Sequence, residues 1–580
     1  MENPIPKSFG LSLFDRLFSF IDLLRPLDKW LFIIALCVFV ISSTISIYQF
    51  SESKLINVPV RGGTLIEGVV GSPRFINPVL AITKADNDLT ALTYSGLLRL
   101  SPDGTLENDL ADTVTISDDG LVYNIMLKQN KYFHDGTKIT ADDVAFTIGL
   151  IQKTSLKSPL YGNWSGVTVE VIDTYELNLV LDNPYAPFKE NLTVGILPKH
   201  IWSTLSEEEL PFSQHNIEPI GSGPYAVKKV VRNQAGLISE YTLKPANDYQ
   251  NSTNISSIVF RFYPNEEAVL DALQKGEITS TAYLGEKLLP SVDKNKFKFE
   301  EEPLPRIFSI FFNQNKNPAL RDKAARTALE ILIDRQELIN QSVNGYGRPT
   351  EEPIPLNWQN PDNNHEQLSK EDRLAKARQV LEDGGWSQST NGRWVKSIND
   401  VDTPLIFSIR SSNDVVFEKI AEYLSQSWQE LGIEATFEFY EQSDLVQTII
   451  RPRDYQALLF GIDLGRSLDL YPFWHSASRE DPGLNVSLYA NMSVDELVSD
   501  IRTATSSDQL HELLDKVADE IDDEKPAIFL FSPTFEYVTK PSVITGNMSY
   551  IQKASERFSN ITSWHMNESG VWPFLKGLTN

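Results

Sequence analysis

The sequence predicts an α/β protein of at least two lobes, held outside a membrane by one helix near its N-terminus. Three observations lead there. The chain has 580 residues, too many for one hydrophobic core, so two or three domains are expected. Residues 30–51 carry no charge. From Arg306 onward, short apolar runs of strand length alternate with helical stretches, the pattern of βαβ units in a mixed or parallel sheet.

The apolar run is the first element. About 20 helical residues at ~1.5 Å each cross a ~30 Å hydrocarbon core, so residues 30–50 read as a transmembrane anchor. Arg25 and Lys29 flank its N-terminal side. Positive flanks stay in the cytoplasm, which makes the protein single-pass with its bulk extracytoplasmic. A cleaved signal peptide is the alternative. The run is longer than a usual signal core, and no clear A-x-A site follows it. Leu36 stands before Cys37 where a lipoprotein cysteine wants a small residue. Residues 1–29 are then a cytoplasmic segment, with 9–24 either an amphipathic helix on the inner membrane face or a short packing helix. Residues 51–61 read as a short polar tether.

The globular part opens with a strand at 63–70. A Pro-rich loop, Pro73-Arg74-Phe75-Ile76-Asn77-Pro78, follows. Ser101-Pro102-Asp103-Gly104 and Ser117-Asp118-Asp119-Gly120 are turns. A strand is expected at 121–127, a helix at 141–151 capped by Thr140, and two strands within 167–180. A strand section begins at Gly221-Ser222-Gly223-Pro224-Tyr225 and runs to Tyr263, before a helix at 266–275. The second half should hold strands at 307–313, 404–409, 435–440 and 455–460. Its helices fall at 318–340, 369–382 and 415–431, with a Pro-rich stretch at 349–361. A strand at 527–531 leads back toward the first lobe.

Composition excludes several functions. The net charge is −26, and such a surface repels phosphate backbones, so nucleic acid is not an expected partner. One cysteine permits no intrachain disulfide. The seven histidines are scattered without HExxH, and neither a Walker A loop nor a Ser nucleophile elbow is present. No metal, no cofactor and no enzymatic activity are therefore expected. Asn163, Asn191 and Asn254 stand in Asn-x-Ser/Thr triplets, which matter only if the source glycosylates.

Four stretches stand in a telling order. They are Tyr132-Phe133-His134-Asp135-Gly136-Thr137, Ile139-Thr140-Ala141-Asp142-Asp143-Val144, Gly221-Ser222-Gly223-Pro224-Tyr225 and Leu332-Ile333-Asp334-Arg335-Gln336-Glu337-Leu338-Ile339. Together they resemble family 5 of the extracytoplasmic solute-binding proteins, the peptide- and nickel-binding class of ABC importers, over roughly residues 62–539. The resemblance implies a two-lobe periplasmic-binding-protein-like (Venus flytrap) fold, type II-like with an extra subdomain. Lobe I would cover 62–302 with a subdomain inserted at about 93–219. Lobe II would cover 303–529, and 530–580 would return to lobe I. The implied function is capture of short peptides, as a monomer, for delivery to ABC permease subunits. A signalling receptor, or a binder of a nickel chelate or oligosaccharide, is the alternative.

The same resemblance assigns a site. A peptide's two termini need charged partners if they are buried. Arg410 falls where dipeptide-binding relatives carry their carboxylate anchor, and Asp463 where they carry their amine anchor. Both are expected just past strand ends of lobe II, where open α/β sheets place ligands. Phe460 stands where the family often has Trp. Leu468-Asp469-Leu470-Tyr471-Pro472 replaces its usual Asp-Pro. Asp469 is a substitute anchor, and Phe460, Tyr471, Phe473 and Trp474 could floor side-chain pockets. Asn77 lies on the first-strand exit toward the cleft. Gly221, Gly223 and Pro224 are expected at the lobe junction as a hinge, the glycines relieving φ restrictions. His134 and Asp135 belong, by resemblance, to a structural stretch.

Overall fold

The computed structural model describes residues 25–101, 104–249, 252–354, 368–466, 468–504, 506–548 and 550–571. The helix expected at 9–24 lies outside them, as does most of the Pro-rich stretch. Strands form at Ile56–Val60 (β1), Thr64–Val70 (β2), Tyr225–Arg232 (β3), Ile238–Pro245 (β4), Ser257–Tyr263 (β5), Ser280–Thr281 (β6), Lys298–Pro303 (β7), Arg306–Phe312 (β8), Ile406–Ser412 (β9), Glu434–Tyr440 (β10), Ala457–Asp463 (β11), Ala527–Thr539 (β12) and Asn567–Val571 (β13).

The chain divides into two units, Met1–Val60 with Asn567–Asn580, and Arg61–Met566. In the first, one helix runs Pro26–Lys54. Its stretch Pro26–Ser46 is long and apolar enough to cross a membrane, and none of it is buried. The tether reading needs correction. Residues 56–60 are not a free linker but a strand, β1, paired antiparallel with β13 from Ile56↔Val571 to Val60↔Asn567.

In the second unit the sheet order is β10-β9-β11-β8-β12-β6-β2-β5-β4-β3, with β7 also along β12. One end belongs to lobe II. There β9 runs parallel to β10 and β11, while β8 pairs antiparallel with β11. The other end belongs to lobe I, where β2 runs parallel to β5 and β6. The inserted subdomain has its own antiparallel sheet, Ala111–Ile116, Val122–Leu127, Glu176–Leu181 and Val167–Asp173 in that order. It also has its own core, around Trp164, Phe188 and Trp202.

The helix expected over 318–340 is three helices, Pro318–Arg321, Lys323–Ile331 and Arg335–Val343. Asp322 and Asp334 break it. Each side chain caps a new N-terminus, accepting from Ala325 N and Glu337 N. A short acidic side chain competes well for orphan N–H groups, so an Asp inside an apolar helical pattern can start a helix as readily as continue one.

Lobe I encloses a charged network. Arg557, fully buried, donates to Glu67 (2.8 Å) and twice to Asp88 (2.7 and 2.9 Å). Tyr283 donates to Asp88 and Tyr537 to Glu67, each at 2.9 Å. Five distant parts of the chain meet there: β2, helix Lys84–Thr93, the loop after β6, β12 and the C-terminal segment. Burial raises the Glu67 carboxyl above its ordinary range despite the Arg557 charge beside it.

The cleft between the lobes

Two extended segments join the lobes. One is the passage from β7 to β8 through Leu304 and Pro305. The other is β12, whose first half pairs with β8 and whose second half pairs with β7. Leu304 N donates to Pro533 O (2.9 Å), so the two crossings are hydrogen-bonded side by side. These are the crossings between the lobes, and Gly221, Gly223 and Pro224, expected at the lobe junction as a hinge, do not lie on them. Gly221, Gly223 and Pro224 sit instead against the end of helix Lys84–Thr93, where the inserted subdomain meets β3. Gly223 N donates to Thr93 O (2.9 Å). A Cβ on Gly221 would lie 1.8 Å from Thr93 O. Neither glycine has positive φ. They are required by close backbone approach, not by dihedral freedom.

His134 helps fix this junction. Gly221 N donates to its Nδ1 (3.3 Å), leaving Nε2–H to donate to Gly223 O (2.9 Å). Burial holds its pKa below the ordinary value, so the ring is neutral and structural.

Asp463 ends β11, opposite Arg306 in the register and beside the first crossing, since Leu464 N donates to Pro305 O (2.8 Å). Arg306 Nη2 lies 3.0 Å from its Oδ2, with both side chains about half exposed, at 46% and 52%. Arg410 is elsewhere. It lies inside β9, not past its end, level with Glu438 and Leu458. Its guanidinium is taken by Glu438 (3.1 Å) and Asp454 (3.1 Å). Asp454 precedes β11, and Asp463 closes it. Seven residues at ~3.3 Å separate those strand ends by about 20 Å. The structure does not bring Arg410 and Asp463 to one end of the sheet. The strand expected at 404–409 forms at Ile406–Ser412.

The other expected site residues are mostly engaged. Asn77 is 1% exposed, donates to Asn216 Oδ1 (3.1 Å) and accepts from Val79 N (2.9 Å). Asp469 is buried and held in bidentate fashion by Arg502 at 2.9 and 2.7 Å. The Tyr471 ring has Arg502 Cζ at 4.0 Å and the His475 ring at 4.0 Å. Trp474 is completely buried against Phe311, Tyr489 and Phe529, a core residue and no pocket floor. Phe460 and Phe473 are half-buried against the same core.

Sequence reading missed a charged seam across the cleft. Arg466, in the loop after β11, reaches lobe I. Its Nη1 donates to Tyr550 O (3.1 Å) and its Nη2 to the Glu556 carboxylate (2.8 Å). Glu190 of the subdomain joins them. Burial pushes its pKa up to about 7, with Glu556 adding to the rise and Arg466 opposing it. Arg502 faces Tyr185 across the same seam, 5.8 Å from its ring. The only available signal was Arg466 itself, a charge three residues beyond a strand end.

Two lobes, two hydrogen-bonded crossings and a charged seam between the lobes define a two-lobe binding protein. Comparison with known proteins agrees. A family model described as bacterial extracellular solute-binding proteins, family 5 (middle) matches residues 105–482, more than half of the chain, and the chain belongs to that family. It is 27% identical to the oligopeptide-binding protein AppA of Bacillus subtilis over 524 residues, covering 89% of this chain and 93% of the relative. The crystal structure of the ABC transporter substrate-binding protein CtaP from Listeria monocytogenes superposes with a TM-score of 0.68 at 25% identity, covering 87% of this chain and 99% of that one. The Bacillus subtilis AppA structure, in complex with a nonapeptide, gives 0.60 at 25% identity, covering 88% and 100%.

Proposed function

We propose that this protein captures short peptides outside the cell membrane and hands them to the permease subunits of an ABC transporter. It acts as a monomer, anchored by helix Pro26–Lys54. The observation that carries the peptide reading is the similarity to an oligopeptide-binding protein along nearly the full length of both chains. Asp463 supports it. A carboxylate at a strand end, beside the lobe crossing and half exposed, suits a ligand ammonium. Its present partner Arg306 is exchanged cheaply, because exposed ion pairs are worth only about 0–1 kcal/mol. Closure of the lobes then removes water from the new pair and strengthens it. Arg410, already bound to two acids, has no such freedom.

The test is peptide binding by calorimetry, with the recovered ligand identified by mass spectrometry. Asp463→Asn should weaken free-amine peptides at least tenfold, since breaking a buried charge pair costs about 2–5 kcal/mol. It should leave N-acetylated peptides unchanged. Equal loss for both would remove Asp463 as the amine anchor. A non-peptide ligand recovered from wild type would remove the peptide reading itself.

A further inference from the structure

The charged seam is built as a receptacle on one lobe and a finger on the other. The receptacle needs nothing from lobe II. Glu556 is the third residue of the helical segment Ala554–Ser563, and its Oε2 accepts from Gln552 N (2.8 Å) and Lys553 N (3.4 Å). Two backbone donors therefore hold the carboxylate still. Tyr550 adds a carbonyl. Its backbone is left-handed, with a φ of 69°, in a region that residues with a Cβ rarely enter and that collects at functional positions. Its ring packs so closely on Gly104 that a Cβ there would lie 2.5 Å from Tyr550 Cγ. Carboxylate and carbonyl are both fixed by contacts outside lobe II.

The finger is Arg466. It stands three residues past the end of β11, in a loop of lobe II, with 13% of its side chain exposed. One guanidinium meets both acceptors, Nη2 at Glu556 (2.8 Å) and Nη1 at Tyr550 O (3.1 Å). Glu190 brings a second acid to the same guanidinium from the subdomain. The other contact across the seam, Arg502 over Tyr185 at 5.8 Å, is no hydrogen bond, and Arg502 is already bound by Asp469. A planar fork on two fixed acceptors is directional. It is satisfied only when the lobes stand as they do here.

We propose that Arg466 is a latch, an ion pair supplied by the protein itself that holds the lobes together with no ligand between them and so sets how fast a captured solute leaves. Arg466 acts through closure and is no anchor for a ligand carboxylate. The consequence for release rests on the proposed capture of peptides, so the latch is tested without peptide. Cys37 is the single cysteine of the chain. Full-length Cys37→Ser in nanodiscs then carries spin labels at Glu170→Cys on the subdomain and Glu496→Cys on lobe II, both exposed. Double electron–electron resonance, after dialysis to remove bound solutes, reads the distance between the lobes.

The labelled protein should populate the short distance of this structure. Arg466→Ala should lower its closed-to-open ratio about tenfold, the worth of a charge-assisted hydrogen bond. Arg466→Lys keeps the charge without the fork and should fall between. Glu556→Gln keeps the cap without the charge. It should open the lobes too, and should add nothing to Arg466→Ala, because the two are ends of one contact. Raised salt should open the labelled protein and leave Arg466→Ala unmoved. Arg451→Ala removes an exposed charge paired within lobe II to Asp481 and should change nothing. A labelled protein with only an open distance, an Arg466→Ala as closed as its parent, or equal opening by Arg451→Ala overturns the latch. A non-peptide solute recovered from wild type would remove the peptide reading and leave the latch standing.

Discussion

Arg557→Met is the most demanding perturbation of lobe I. The wild-type guanidinium is fully buried and donates three hydrogen bonds to Glu67 and Asp88, themselves 0% and 1% exposed. Methionine fills similar volume but leaves two carboxylates in the core without a cation. Breaking a buried pair by removing one partner costs about 3–5 kcal/mol. The loss must depend on pH. Burial already holds the Glu67 carboxyl above its ordinary range, and without Arg557 it rises further. A carboxyl raised on folding contributes stability that is full below its unfolded pKa and is lost as pH rises through its folded one. The variant's deficit should therefore be larger at pH 8 than at pH 5, by about 1.4 kcal/mol for each further unit of rise. The assay is denaturant unfolding followed by tryptophan fluorescence at both pH values. Glu67→Gln added to Arg557→Met should recover part of the loss, because the two sites share one network. A deficit below about 1 kcal/mol, or one equal at both pH values, would refute the reasoning.

Two further outcomes follow from the junction and the seam. Gly221→Ala places a Cβ 1.8 Å from a backbone oxygen, so it should lower stability by about 1–3 kcal/mol; an unchanged melting temperature would show that this junction is loosely packed. Glu190, with its pKa raised from 4.5 to about 7, should contribute stability below pH 4.5 that fades as pH rises through 7. Glu190→Gln should flatten the fall of the denaturation midpoint between about pH 4.5 and 7, and an unaltered slope would place the titration elsewhere.

Much of this protein was determined by local sequence. The apolar run between charged flanks marks helix Pro26–Lys54 because hydropathy needs no partner to be read. The alternation after Arg306 gave the strands and helices of lobe II, and the four motifs gave the family. Thr140 was legible as a cap, and Asp143 does accept from Thr140 N (2.9 Å). Where two local signals competed, reading failed: Asp322 and Asp334 each stop one helix and start another.

What tertiary structure alone decided is which charges meet. Arg410 and Asp463 are both charged residues near strand ends in the sequence, yet register puts them at opposite ends of β11 and fills Arg410 with Glu438 and Asp454. Asp469 looked available until Arg502 folded over it. The β1–β13 pairing joins residues 511 apart at Asn57 and Glu568, and Arg557 meets Glu67 across 490 positions. Such partners cannot be read locally, because an ion pair's energy depends on distance and burial in space, and neither is written along the chain.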